Sequence, residues 1–156
     1  MNKASYITAS ALRFVLGWYM FFAGIEKVLD PSWTASGFLM GAKTFPGFYT
    51  WFAAPSQAFW VDPLNAWGIT LVGAALLFGV FVRPAALAGA ALMMLYYFPQ
   101  VAYPFVLSHG FIVESHIINA AAFLAVAFLP AARRWGFAGK LQETFLGRLP
   151  LVRSLV

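Results

Sequence analysis

Charge is what this 156-residue sequence has least of: Asp, Glu, Lys and Arg together make up 10%, where a soluble domain carries roughly 25%. That excludes an ordinary water-soluble globule. Intrinsic disorder is excluded for the opposite reason, since 62% of the residues are hydrophobic and must be buried somewhere. Cysteine is absent altogether, which removes disulfides, thiolate zinc sites, iron–sulfur clusters and thiol relays. Glycine-rich phosphate loops, nucleophile elbows and zincin motifs are missing too. An all-α integral membrane protein is the class that remains.

Spanning helices need about 20 mostly apolar residues. Four stretches qualify, over residues 7–27, 66–82, 85–107 and 115–132. The first is no cleavable signal on this reading, because it is long, carries Arg13 and runs into Glu26-Lys27. Arg83-Pro84 alone joins the second stretch to the third, so these two should be antiparallel neighbours, with Pro84 in the first turn of the later helix. Small residues let membrane helices approach closely: Gly17 and Gly24 in the first, Gly68, Gly73 and Gly79 in the second, and Ala86, Gly89, Ala90 and Ala91 in the third. The expectation is one domain over residues 1–156, an antiparallel four-transmembrane-helix bundle.

Between the first two helices lies a segment unlike a polar loop, with nine aromatic residues between Asp30 and Asn65. Aromatic rings favour the headgroup level, so short helices on or dipping into the outer leaflet are expected, broken at Pro46-Gly47 and Pro55. A lid packed over the bundle is the other reading, and the two are compatible. The tail, residues 133–156, is basic. Phe137, Leu141 and Phe145 recur opposite Lys140, Gln142 and Glu143, as in an interfacial amphipathic helix. The net charge of +5 belongs to this tail rather than to nucleic-acid binding, since five of the ten cations follow residue 130, where they would meet anionic lipid.

Cations near helix ends set orientation. Seven of them (Lys3, Arg83, Arg133, Arg134, Lys140, Arg148, Arg153) fall on one side and two, Lys27 and Lys43, on the other. Both termini are therefore expected in the cytoplasm of a multi-pass protein of the cell membrane. Glu26, Asp30, Asp62, Glu114, His109 and His116 then fall at the outer face, where a chemical site is expected.

Individual residues carry two readings each. Arg13, about two turns inside the first helix, is a functional candidate because intramembrane charge is expensive, unless it snorkels to cytoplasmic headgroups. Glu26 and Lys27 are adjacent and so point in different directions. Lys27 is the candidate for an anion, and an ordinary charged helix end is the alternative. Asp62 before Pro63 reads first as a helix-start signal, with Asn65 close by. Glu114 suits a helix N-terminus. His116 and Asn119, three apart, share a face that would line a cavity. A metal would need His109, Glu114 and His116 to converge with a fourth group; the spacing matches no ligand pattern, and no metal or covalently bound cofactor is expected.

Several stretches resemble the DoxX/DoxD family. They are Arg13-Phe14-Val15-Leu16-Gly17-Trp18 through Glu26-Lys27-Val28-Leu29-Asp30-Pro31-Ser32-Trp33, then Leu77-Phe78-Gly79-Val80-Phe81-Val82-Arg83, then Gly110-Phe111-Ile112-Val113-Glu114-Ser115-His116, and finally Arg133-Arg134-Trp135-Gly136. In order they cover residues 8 to about 142. Members often carry a glutamate early in the second helix, where this chain has Gly68-Ile69-Thr70. The resemblance implies a small four-helix membrane protein. In the DoxD branch it implies the membrane subunit of a thiosulfate:quinone oxidoreductase. Lys27, with Arg13, Glu26, Asp62 and Asn65, would then be the candidates for substrate binding. Glu114 and His116 would serve quinone protonation, and Trp33, Trp67 and Asn119 would line a quinone pocket. With no thiol and no flavin or metal motif, a second redox subunit is expected, and self-association through the small-residue faces is a further option. A non-enzymatic membrane scaffold or assembly protein is the alternative. A small-solute channel or transporter ranks third, because two of the four helices carry no charge.

Overall fold

The computed structural model describes residues 3–106 and 110–133. Elements follow in the order α1 (Lys3–Leu29), α2 (Ser36–Met40), α3 (Pro46–Phe52), α4 (Pro55–Phe78), α5 (Val82–Gln100), β1 (Phe105–Val106), β2 (Gly110–Phe111), α6 (Ser115–Phe128) and a 3₁₀ turn, Pro130–Arg133. The basic tail expected to form an amphipathic helix lies outside the described residues, as does His109.

The long helices pack in a ring of antiparallel neighbours. Glycine sets the closest of these contacts. A Cβ added to Gly73 would lie 2.2 Å from the Phe21 nitrogen, and one at Gly24 would lie 2.4 Å from the Thr70 nitrogen, so the α1 and α4 backbones touch. Rising numbers in α1 meet falling numbers in α4, as antiparallel packing requires. The α5–α6 pair runs the same way: Gly89 packs on the Phe123 ring, and the Arg83 guanidinium sits 5.6 Å from the centre of the Phe128 ring. Between them lies a core that includes Leu16, Met20, Ile69, Leu76, Met93 and Phe123. Gly68 and Ala91 take no part in this packing: nothing lies within 4 Å of a Cβ at Gly68, and Ala91 is exposed.

Three boundaries differ from the sequence expectation. Helix α4 begins at Pro55 rather than near residue 66 and runs straight through Pro63. Proline at the first helical position fits its fixed φ, whereas Pro63 removes one ladder hydrogen bond without ending the helix. Asp62-Pro63 is thus no helix start. The hairpin lies at Gly79–Phe81, upstream of Arg83-Pro84. Gly79 takes φ 68°, Val80 N–H donates to the Ala75 carbonyl at 2.9 Å, and Gly79 N–H donates to that of Leu76 at 3.3 Å, a Schellman closure. Pro84 does sit in the first turn of α5. That helix stops at Gln100 rather than near 107, and the chain turns at Tyr103-Pro104 into the β1–β2 ladder, where Phe105 pairs with Phe111.

The aromatic segment folds as a lid across one end of the bundle, with α2 and α3 its two short helices. Backbone acceptors on α5 hold it. Pro99 has no N–H, so the Leu95 carbonyl four residues earlier loses its helical partner. The Tyr49 hydroxyl donates to that carbonyl at 3.0 Å. At the frayed C-terminus of α5, Lys43 N–H donates to the Pro99 carbonyl at 3.0 Å, and the Thr44 hydroxyl donates to the Val101 carbonyl. Phe38 against Tyr96 and Phe45 against Phe98 meet edge to face, a favoured aromatic geometry.

Candidate functional site: a polar chamber under the lid

Beneath the lid lies a chamber of about 310 Å³ whose lining includes Lys27, Trp33, Asn65, Tyr96, Gln100 and His116. Apolar floor residues Met20, Ile69 and Met93 close it toward the core. Each polar wall residue is held by local chemistry that the sequence encodes.

Lys27 ends α1. Its ammonium donates to the Ala23 carbonyl at 2.9 Å and lies 5.5 Å from the centre of the Trp33 ring, a cation–π distance. Asp30-Pro31-Ser32-Trp33 makes that stacking possible. The Asp30 carboxylate accepts from the Ser32 N–H at 2.9 Å and from its hydroxyl at 2.6 Å. This Asx turn reverses the chain and returns Trp33 over Lys27. The same two Ser32 donors hold the Asp30 carboxyl below its ordinary range. No carboxylate lies within ion-pair distance of Lys27 among the described residues.

His116 enters from the start of α6. Glu114 caps that helix, accepting from His116 N–H at 2.8 Å and from the Ser115 hydroxyl at 2.8 Å, and it also contacts His116 Nδ1 at 2.6 Å. Partial burial raises the Glu114 carboxyl, but the Ser115 and His116 contacts outweigh it, and the net shift is downward. The helix dipole favours the same carboxylate. Glu114 thus stands behind His116 rather than in the chamber wall. Across the chamber, Asn65 Nδ2 donates to the Tyr96 hydroxyl at 2.6 Å, and Asn65 Oδ1 is buried with no protein donor.

Of the candidate site residues, the structure brings Lys27, Trp33, Asn65 and His116 together, with Glu114 behind them. It does not bring the others. Arg13 is 5% exposed in the N-terminal half of α1, about four turns before Lys27, where Nη1 donates to the Ala132 carbonyl at 2.9 Å. It neither meets the chamber nor snorkels outward; it ties α1 to the 3₁₀ turn. Glu26 is exposed, one helical step round from Lys27. Asp62 accepts from Ala35 N–H at 2.9 Å and so fixes the start of α2. Trp67 is 52% exposed, because two residues beyond Asn65 is roughly 200° around the helix. Asn119 lies a turn deeper than His116 and is not in the lining. Tyr96, Gln100 and Tyr19, which also lines the chamber, were not foreseen. The polar tips of Tyr96 and Gln100 in a largely apolar helix were the available signal.

Helices α1 and α4 are long and apolar enough to cross a membrane. With so few charges and so much exposed aromatic and aliphatic surface, the chain is a helical membrane protein. It belongs to the DoxX family, whose model matches residues 8–99. The match takes in most of α1 to nearly the end of α5, and with them Lys27, Trp33, Asn65 and Tyr96, but not His116 or the Glu114 behind it. No curated protein and no solved structure matches the chain.

Proposed function

We propose that this protein is the membrane subunit of a redox complex and that the chamber takes the headgroup of a quinone. One observation carries the reading: Lys27, the Asn65–Tyr96 pair and the Glu114-backed His116 converge on one small cavity with an apolar floor. Reducing a quinone to a quinol takes two electrons and two protons, the protons arriving at the ring oxygens. His116, with Nδ1 on Glu114, keeps Nε2 for one ring oxygen, and Glu114 is its relay toward water. Lys27 offsets negative charge as electrons arrive. Tyr96, whose oxygen accepts from Asn65, retains its own proton to donate. The electrons come from a partner subunit oxidising a sulfur oxyanion, thiosulfate in the branch that the chain resembles.

In this reading all four long helices cross the cytoplasmic membrane, both termini are cytoplasmic and the lid faces outward. The antiparallel ring, the seven-to-two division of cations and exposed Phe14, Trp18, Phe22, Leu71 and Phe78 support it. Helix α6, with 14 residues, spans only about 21 Å and needs the 3₁₀ turn to complete its crossing.

The test is to purify the protein in mild detergent from its own membranes and extract and quantify quinone. Native mass spectrometry of the same sample reports any partner subunit or second copy. Quinone should co-purify with the wild type and be depleted in Lys27→Met and His116→Leu. A wild type that carries no quinone and takes up none when it is added back overturns the reading.

A further inference from the structure

A second cavity, of about 180 Å³, lies beside the chamber, and the two share Ala35, Phe38, Asn65 and Tyr96 as a common wall. Its chemistry is different. Phe48, Phe52, Leu64, Leu92 and Leu95 supply carbon surface. Away from the shared Asn65–Tyr96 wall, the polar tips that could have faced it are already engaged: Tyr49 donates to the Leu95 carbonyl at 3.0 Å and Trp60 Nε1 to Gln57 Oε1 at 2.7 Å. Beyond that wall a polar ligand would find no partner, and burying it would be costly. At the rim, Phe48 is 53% and Leu64 65% exposed, so the cavity opens outward between lid and α4. Polar chamber, shared gate and apolar outlet form a line.

We propose that this annex is the subsite for the hydrocarbon tail of the same ligand. The ring lies in the chamber, the Asn65–Tyr96 pair grips a ring oxygen at the joint, and the chain leaves past Phe48 and Leu64. The inference rests on the quinone reading and adds a tail requirement to it. Apolar burial scales with area, so a tailed quinone gains affinity that a bare ring cannot.

The test uses calorimetric titration of the protein in lipid nanodiscs, with empty nanodiscs subtracted. Two probes serve: a 2,3-dimethoxy-5-methyl-benzoquinone and its 6-decyl derivative. The wild type should bind the decyl compound at least about tenfold more tightly, the equivalent of about 1.4 kcal/mol. Leu92→Trp, which fills the annex, should cut that ratio to about twofold or less while leaving the bare-ring Kd unchanged. If Leu92→Trp loses the bare ring as well, the exposed rim variant Leu64→Trp decides on the same ratio. An unchanged ratio in a variant that still binds the bare ring overturns the tail subsite and leaves the quinone reading standing. Failure of both probes on the wild type overturns both.

Discussion

Two glycines on one helix should respond to the same methyl group with opposite signs. Gly73 faces α1, where an added Cβ would sit 2.2 Å from the Phe21 nitrogen and 2.5 Å from its Cα. Atoms of that kind do not approach within 3.0 Å, and a backbone nitrogen cannot rotate away as a side-chain tip can. Gly73→Ala must therefore push α1 and α4 apart, losing contact around Met20 and Leu76. Overpacking of this kind costs about 1–3 kcal/mol, reduced by the roughly 0.5–1 kcal/mol that alanine gains over glycine in a helix. Gly68, five residues earlier, has nothing within 4 Å of a Cβ, so Gly68→Ala should keep only the roughly 0.5–1 kcal/mol gain. The helix gain is common to both, so the two variants should differ by the overpacking cost, about 1–3 kcal/mol, or about 2–12 °C in Tm for a chain of this size. Thermal unfolding in one detergent reads this, followed by tryptophan fluorescence and by loss of the monodisperse size-exclusion peak. If Gly73→Ala melts within roughly 2 °C of Gly68→Ala, the close backbone approach is wrong.

Three other outcomes are expected. Arg13→Met should cost about 1–3 kcal/mol, because the Ala132 carbonyl loses its donor, and should leave quinone affinity unchanged; lost affinity in a folded variant would return Arg13 to the site. The Glu114 carboxyl is held low in the folded protein, so the stability it contributes is present above the free carboxylate range near about 4.3 and disappears as pH falls through the lower folded value. Wild type should show an acid-dependent fall in Tm there that Glu114→Gln lacks; parallel pH profiles would contradict the capping role. Tyr49→Phe should strip the Leu95 carbonyl of its donor at a cost of about 1–3 kcal/mol, read as faster hydrogen exchange across residues 36–52, and unchanged exchange would mean that the lid is held elsewhere.

How much of this was legible in the sequence depends on which physical rule governed each residue. Lys27 and His116 stood out because charge and imidazole are rare against an apolar background, and rarity there points to a role. Trp33 was named from the stretch that follows Lys27, and Asn65 from its place beside Asp62. Tyr96 was missed because a tyrosine in an apolar helix reads equally as packing; only its meeting with Asn65, 31 positions away, makes it polar machinery. Trp67 and Asn119 fall outside the chamber lining through helix phase and depth, which a sequence fixes only once the helix start is known. That start was itself obscured, since Pro63 looked like a boundary and proved to lie within a continuous α4. The glycines of the α1–α4 seam were visible as a group, but Gly68 and Gly73 look alike on paper and differ only in what faces them.

The lid's attachment has a consequence for how relatives of this chain can vary. Tyr49 is bound to a carbonyl that exists as a free acceptor because residue 99 is proline. An alanine at 99 would restore the helical amide and make the tyrosine hydroxyl redundant, while a phenylalanine at 49 would leave the carbonyl bare. Positions 49 and 99 should therefore be coupled, proline at 99 requiring tyrosine at 49, although about a third of the chain separates them. Lineages that lose the pair should do so through alanine at 99 first, since that intermediate keeps every carbonyl paired and leaves the lid free to loosen.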